Sequence, residues 1–419
     1  MSRPQKLVVV GQGYVGLPLA LSAAEVGYEV VGFDADDVRV KRLAAGESYV
    51  EDIDAATLAG ALDSGRYLPT TDEAHCAGFD VAVIDVPTPL TDGAPDLRHV
   101  EAAAAMLARH LRPGATVILE STTYPGTTEE LVAPILEDGS GLRVGRDFHL
   151  GYSPERIDPG NPHWHLRNIP KVVSGVGPES LAAVAGFYGS IVETTVPVSD
   201  PRVAELTKLL ENTFRHVNIA LVNELAMFAG DLGIDVWEAI GAASTKPFGF
   251  MAFTPGPGVG GHCLPIDPSY LSWTVRRSLG RPFRFVELAN DINDHMPDYV
   301  VQRLVTGLNE RAKPVMGSRV LLLGLAHKRN TSDCRGAPGT VIAGKLLQLG
   351  ARVRVADPLV DPDDVDFALV EVSSDELAAA DVVVVVTDHD SFDYELVRRH
   401  APYVLDTRNR IAGPTVEAL

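Results

Sequence analysis

Short apolar runs alternate with stretches of helical periodicity along most of the chain. Residues 7–10 form an apolar run that ends in glycines, 18–26 have helical character closed by Gly27, and 28–33 form a second run ending at Asp34. Strand, helix and strand in that order predict a βαβ unit. The alternation continues with strands at 81–86, 116–120, 149–152 and 171–174 and helices at 97–110 and 127–136. Strands spaced by helices predict a parallel, doubly wound sheet over roughly the first half of the chain.

The stretch 201–240 breaks this rhythm. It has almost no helix breakers before Gly230, and Leu206, Leu209, Leu210, Val217, Leu221 and Leu225 recur at helical spacing. This predicts a long helix acting as a spine between two sheet domains, followed by helices at 268–277 and 286–308. After Lys313 and Pro314 the first pattern returns: a strand at 320–324, a helix at 339–349 closed by Gly350, and a strand at 353–356 ending at Asp357. Runs at 382–386 and 403–405 extend that sheet. The second copy lacks the G-x-G-x-x-G turn of the first, so its ligand is not expected on a dinucleotide loop. The expected fold is α/β: two Rossmann-like, doubly wound parallel-sheet domains joined by a long central helix and a small helical domain. The boundaries fall at 1–200, 201–312 and 313–419.

Composition narrows the function. The 419 residues are 46% hydrophobic and carry a formal charge of −20, which excludes a typical nucleic-acid binder. The β-branched run 382–386 reads as a buried strand rather than a membrane span. Cys76, Cys263 and Cys334 are an odd, sparse set with no disulfide framework and no metal-ligand spacing. With an apolar run at 7–10 too short for a signal peptide, they point to the cytoplasm. A chain this acidic must gather its cations locally to bind an anion, so clusters of Arg and Lys carry information.

The first candidate site is Gly11-Gln12-Gly13-Tyr14-Val15-Gly16, set between a predicted strand and a predicted helix. Its glycines permit a tight turn, close backbone approach to a pyrophosphate and helix–sheet packing, while the helix N-terminus attracts the anion. Asp34, at the end of the next strand, is placed to bind a ribose and to repel the extra phosphate of NADP, so NAD is the expected cofactor. Arg39 has two readings, a phosphate ligand or a solvated helix face. Three more strand ends point to the same crevice: Val86-Pro87-Thr88, Ser121-Thr122-Thr123 and Tyr152-Ser153-Pro154-Glu155-Arg156. Thr88 and Thr122 read equally as turn or helix-cap residues.

Cys263 lies within Pro255-Gly-Pro-Gly-Val-Gly260-Gly-His-Cys263-Leu-Pro-Ile-Asp267. A structural cysteine normally packs in an apolar helix or strand; one in a glycine loop, beside His262 and ahead of Asp267, is better placed to react. On the long helix Lys208, Asn212 and Arg215 share a face, either a solvated polar stripe or a partner for an anion. Lys328, Arg329, Arg335 and Arg408 follow strand ends of the second sheet, where a Rossmann-like domain keeps its crevice.

These residues together resemble the UDP-glucose/GDP-mannose dehydrogenase family over essentially the whole chain. The matching stretches are Gly11–Gly16, Val86-Pro-Thr-Pro89, Glu120-Ser-Thr-Thr123, Ser153-Pro-Glu-Arg156, Lys208-Leu-Leu-Glu-Asn212, the loop through Cys263 to Asp267, and Lys328 with Asp333 and Arg335. Thr245-Lys-Pro-Phe-Gly-Phe-Met251 and the loop 255–262 look most like UDP-N-acetylglucosamine 6-dehydrogenases. The glucose-specific members usually have Ser and Lys where this chain has His262 and Ile266.

The resemblance implies a two-step oxidation of a sugar C6 alcohol to the carboxylate, with NAD as oxidant and Cys263 as covalent nucleophile. Lys208, Asn212 and Asp267 would stabilise the oxyanion and order water, Glu155 would serve as base, and Thr122 would join the catalytic set. Gly11, Gly13, Tyr14, Val15, Gly16, Asp34, Arg39, Pro87, Thr88, Thr122 and Arg335 would contact NAD. The UDP-sugar would meet Arg156, Ile157, Lys208, Asn212, Arg215, Lys246, Phe248, Phe250, Gly260, Lys328 and Arg408. A homodimer or larger homo-oligomer built on the long helix is expected, with no nucleic-acid or membrane partner. Arg329-Asn330 replaces a more usual Lys-Asp, and Gly336 a common Glu. Three other readings stay open: a same-family enzyme for UDP-glucose, UDP-N-acetylmannosamine or GDP-mannose; a single-step hydroxyacid dehydrogenase; and a non-catalytic NAD-binding protein.

Overall fold

The structure is a computed structural model that describes residues 5–50, 53–158, 160–161, 163–261 and 264–419. His262 and Cys263 lie outside the described residues. The chain divides into two compact units, residues 1–211 and 212–419.

The first unit is built on six parallel strands: β1 Lys6–Val10, β2 Glu29–Phe33, β3 Tyr67–Thr70, β4 Val81–Ile84, β7 Thr116–Leu119 and β8 His149–Tyr152. Their order is β3-β2-β1-β4-β7-β8, so the chain reverses direction across the sheet between β1 and β4. Such a switch point opens a crevice at the carboxyl ends of those two strands. A small hairpin of β5 Leu90–Thr91 and β6 Ala94–Pro95 follows β4. Helices α1 Gly16–Val26, α2 Asp37–Ala44, α3 Ala55–Asp63, α4 Arg98–Ala108, α5 Ala133–Ser140 and α6 Pro178–Gly189 connect the strands. β1, β4 and β7 are apolar on both faces, as strands covered by helices on either side must be. The two resulting cores hold Val8, Ile84 and Leu119 on one side and Leu7, Val9 and Ile118 on the other.

Two expectations for this unit change. Strand β9 Lys171–Val173 does not extend the large sheet; it pairs with β10 Thr195–Pro197 in a sheet of two. The helix expected at 127–136 starts as one π-helical turn, Thr128–Val132, and continues as α5. Glu205, on the long helix Pro201–Leu232, explains that start. Its buried carboxylate accepts the Gly126 and Thr128 amides at 2.6 and 2.9 Å and the Thr128 hydroxyl at 2.7 Å, capping the turn from outside.

The long helix exists as α7 Pro201–Leu232 and ends eight residues before 240. Gly233 adopts φ +67, a left-handed conformation that stops the helix, and the Asp235 side chain caps α8 Val236–Ser244 through the Trp237 and Glu238 amides. Helices α9 Asp267–Leu279 and α10 Arg284–Glu310 follow. The second sheet has strands β11 Arg319–Leu323, β12 Arg352–Ala356, β13 Val382–Val385, β14 Val404–Asp406 and β15 Val416–Ala418, all parallel, in the order β12-β11-β13-β14-β15. Helices α11 Pro338–Gln348, α12 Ser374–Ala379 and α13 Tyr394–His400 accompany it. Its switch point lies between β11 and β13. Among the described residues no helix is long and apolar enough to cross a membrane.

Candidate functional site

At the first switch point the loop after β1 is forced into one shape. Gly11 has φ +98, donates its amide to the Phe33 carbonyl at 2.8 Å, and lies so close to β4 that a Cβ would sit 1.9 Å from the Asp85 carbonyl oxygen. Only glycine fits there. Gln12 is fully buried: its side-chain amide donates to the Val9 carbonyl at 3.0 Å and its oxygen accepts the Tyr67 hydroxyl at 2.7 Å. A Cβ on Gly13, by contrast, would meet nothing within 4 Å, leaving space over the loop.

Asp34 follows β2 and is nearly buried. It accepts the Gln12 amide at 2.9 Å, the Asp36 amide at 2.9 Å and the Arg39 guanidinium at 3.1 Å. Arg39 is thus paired with Asp34 and set over the Tyr49 ring at 5.4 Å. Thr88 donates its hydroxyl to the Thr122 carbonyl at 2.9 Å, and Ser121 links to the Val86 backbone, so the loops after β4 and β7 are tied together beside the glycine turn. Tyr14 packs on the core behind that turn, Val15 precedes α1, and Pro87 is exposed between the half-buried Val86 and Thr88.

The loop after β8 carries Glu155, Arg156 and Ile157. Lys208, almost fully buried on α7, holds the Glu155 carboxylate at 3.0 Å and donates to the Glu155 carbonyl at 2.7 Å. Arg156 pairs with Glu211 and donates to the Pro170 carbonyl at 2.7 Å, while Ile157 packs on the core. Beneath this loop lies a charged cluster that the sequence reading passed over. Lys171 is buried against Glu120 and donates to the Pro154 carbonyl at 3.1 Å; the Tyr188 hydroxyl donates to Glu120 at 2.6 Å. Asp85, close by, is driven well above the usual carboxylate range by burial and then by the charge of Glu120. A lysine opening a short strand reads as an edge position, so nothing local marked Lys171 as buried.

In the second unit, Asp267 is buried at the start of α9 and accepts the Asn212 side-chain amide at 2.5 Å. Pro255–Gly261 is crowded by protein: a Cβ on Gly256 would lie 2.6 Å from the Arg408 guanidinium, on Gly260 2.7 Å from the Gly336 carbonyl oxygen, and on Gly261 2.7 Å from the His327 ring. The loop glycines therefore admit neighbouring chain. Gly336 itself has φ +60 and Asn330 φ +58, and Asn330 exchanges two hydrogen bonds with Asp390 at 2.7 and 3.0 Å. Both departures from the family pattern thus suit left-handed backbone.

Arg335 pairs with Asp333 at 2.7 Å, and Arg408 donates to the Val386 carbonyl at 2.8 Å. Lys328 is half-buried after β11. Arg215 is exposed on α7, and Lys246 lies exposed after α8 with its ammonium 5.1 Å from the Phe248 ring; Phe248 and Phe250 are exposed too.

Three family models match in sequence: the NAD binding domain of the UDP-glucose/GDP-mannose dehydrogenase family over residues 5–192, its central domain over 202–295 and its UDP binding domain over 321–413. The chain belongs to this family. It is an NAD-dependent oxidoreductase, and the turn fits that cofactor, with open space over Gly13 and a carboxylate at Asp34 for a ribose. Among its relatives is the UDP-N-acetyl-D-glucosamine 6-dehydrogenase of Pseudomonas aeruginosa, 39% identical over 92% of this chain and 91% of that protein. Another is the NDP-N-acetyl-D-galactosaminuronic acid dehydrogenase of Ralstonia solanacearum, 35% identical over 96% and 95%. The solved structure of the UDP-D-ManNAc dehydrogenase from Pyrococcus horikoshii superimposes with a TM-score of 0.91 at 34% identity, covering 99% of both chains.

Proposed function

We propose that this family member oxidises the C6 alcohol of UDP-N-acetylglucosamine, or of a related UDP-N-acetylhexosamine, to the uronate through a covalent adduct on Cys263. The observation that carries the substrate class is that all three relatives above are named for N-acetylated hexosamines or their uronic acids. Bound NAD accepts one hydride in each of the two oxidations. Loss of a hydride and a proton from the C6 alcohol leaves an aldehyde. The Cys263 sulfur bonds to its carbon while the oxygen gains a proton, forming a thiohemiacetal. Departure of a second hydride from C6, and of the hydroxyl proton, leaves a thioester. Water adds to that carbon, the C–S bond breaks, and sulfur leaves as thiolate while the acid sheds its proton.

Lys208 stabilises the oxyanion, Glu155 exchanges protons with the substrate, and Asn212 with Asp267 orders the attacking water. The 3.0 Å Lys208–Glu155 pair and the 2.5 Å Asn212–Asp267 bond support those roles, since each holds a polar group in one orientation. Thr122 is assigned to the same catalytic set. Residues 1–200 are assigned to NAD, 201–312 to the chemistry, and 313–419, with Lys328 and Arg408, to the nucleotide end of the sugar.

A panel of UDP and GDP sugars tests this reading. Turnover of UDP-N-acetylhexosamines with two NADH per sugar supports it; turnover of UDP-glucose or GDP-mannose alone refutes the substrate class, and one NADH per substrate refutes the two-step scheme. Cys263→Ser is expected to abolish uronate formation, and undiminished two-fold NADH release from that variant refutes the covalent step.

The enzyme is further proposed to work in the cytoplasm as a homodimer through α7. That helix exposes Leu206, Leu210, Phe214, Leu221, Leu225 and Phe228 at helical spacing, and a contiguous exposed apolar surface of this kind marks an interaction site. Sedimentation as a monomer at micromolar concentration excludes the dimer.

A further inference from the structure

The second unit contains a chain of side-chain hydrogen bonds with one direction throughout. The Gly256 amide donates to the Asn223 side-chain oxygen at 2.9 Å, and the Asn223 amide nitrogen donates to the Asn293 oxygen at 2.9 Å. The Asn293 nitrogen faces His216 Nδ1 at 3.3 Å, and His216 Nε2 faces the Asn290 oxygen at 2.7 Å. An amide nitrogen can only donate and an amide oxygen only accept. His216 therefore accepts at Nδ1 and donates at Nε2, which is a single neutral tautomer. The Asn290 nitrogen then donates to the Ser269 hydroxyl at 3.4 Å, and Ser269 donates to the Pro265 carbonyl at 3.0 Å.

Asn223, Asn293 and His216 are each at most 3% exposed, so the middle of the chain is shut off from water. Burial also lowers the His216 pKa against the opposing effects of the Asn290 bond and the Asp294 charge, favouring the neutral ring the pattern requires. Bonds aligned head to tail polarise one another, and a break leaves buried groups without partners. The two ends of the chain are the decisive feature. Both lie on one segment of backbone, at residues 256 and 265, and Cys263 falls between them.

We infer that Asn223, Asn293 and His216 are positioning residues that fix both ends of the Cys263 segment from α7 and α10. The catalytic consequence rests on Cys263 as nucleophile; the mechanical hold does not. Asn223→Asp and Asn293→Asp keep size and shape but remove one donor each, interrupting the chain at a chosen link.

Amide hydrogen exchange of the full-length enzyme reads the hold, and steady-state kinetics reads its use. Each variant is expected to exchange at least tenfold faster over residues 256–266, with the peptide across β1 and α1 unchanged. kcat is expected to fall at least tenfold with KM for NAD within twofold. Parent-like exchange in both variants overturns the hold, and faster exchange with an unchanged kcat overturns the positioning role. Should either variant lose NADH binding through misfolding, Asn290→Ala, at the less buried end, is measured in its place with the same two outcomes. Failure of the nucleophile itself shows separately, as full uronate formation by Cys263→Ser.

Discussion

The loops after β1 and β11 are two versions of one design. Gly11 and Gly324 have φ +98 and +88, and each donates its amide at 2.8 Å to the last residue of the neighbouring strand, Phe33 or Ala356. Each loop is followed by a glycine packed under the first, Gly16 and Gly339, and each neighbouring strand ends in an aspartate. The difference lies in how much of that aspartate is already used. Asp34 accepts from Gln12, Asp36 and Arg39, three donors against about four lone-pair sites, which leaves room for a ribose hydroxyl. Asp357 accepts the amides of Leu325, Ala326, Leu359 and Val360 and the His389 ring, five donors, with its side chain fully buried. On the ribose role expected of Asp34, one carboxylate is a recognition group and the other is a structural rivet. The second loop also inserts the stretch from Ala326 to Pro338, which carries Lys328 and Arg335, so the crevice is furnished with cations in place of a glycine cradle.

Glycine substitutions should split this comparison most widely. Gly11→Ala puts a methyl 1.9 Å from the Asp85 carbonyl oxygen in a left-handed backbone, and is expected to destabilise the first unit by more than about 3 kcal/mol and abolish NADH binding. Gly324→Ala, 2.3 Å from the Thr387 carbonyl oxygen, should destabilise the second unit comparably yet leave NADH affinity within about threefold where the first unit stays folded. Gly13→Ala meets no protein atom, so it should melt like the parent while NADH affinity falls about 100-fold. Denaturation followed by circular dichroism, with NADH titration by fluorescence, separates the three. A Gly13→Ala variant with parental affinity would remove the case for close pyrophosphate approach.

Much of this comparison was legible in the sequence because it is local. The strand–glycine–helix–strand–aspartate order was visible twice, and so was the absence of the full glycine motif from the second copy. The fate of Asp357 was not, since its burial depends on His389, 32 residues further along and on another strand's loop. The same holds for the candidate site. Lys208, Asn212 and Asp267 could be named from spacing and resemblance, but Lys171 and Glu120 become a buried pair only when β9 folds beside the β8 loop. Likewise, the close neighbours of Gly260 and Gly261 were not legible, because sequence shows where a Cβ is missing and not what fills the space.

Asp357 offers the next largest effect. Burial alone would raise its pKa, but the His389 bond, the Leu325 amide and the His389 and Leu359 contacts together hold it at about 2. A folded-state value below the unfolded one contributes stability that is present above the unfolded value near 4 and is lost as pH falls through about 2. The gap is worth about 2 kcal/mol. Asp357→Asn should therefore be destabilised relative to the parent at pH 6, and the difference should shrink by about that amount as pH is lowered from 5 toward 2. A difference that does not vary with pH would show that Asp357 acts by shape and not by charge.

The smallest expected effect bears on the open lone pair of Asp34. Its carboxylate holds Arg39 at 3.1 Å, and Arg39 is the only cation the structure ties to it among the described residues. Asp34→Asn removes the charge that repels a 2′-phosphate and releases a guanidinium able to bind one, so both changes favour the phosphorylated cofactor. The ratio of kcat/KM for NADP to that for NAD should rise about tenfold, or about 1.4 kcal/mol, mostly through loss of NAD affinity. In the parent background Arg39→Ala should change NAD affinity by less than about threefold, because the aspartate keeps its two backbone donors. If Arg39→Ala instead costs as much as Asp34→Asn, the pair acts as one unit. The first loop would then depend on a pinned carboxylate just as the second does, and the contrast between recognition group and rivet would narrow to the number of donors alone.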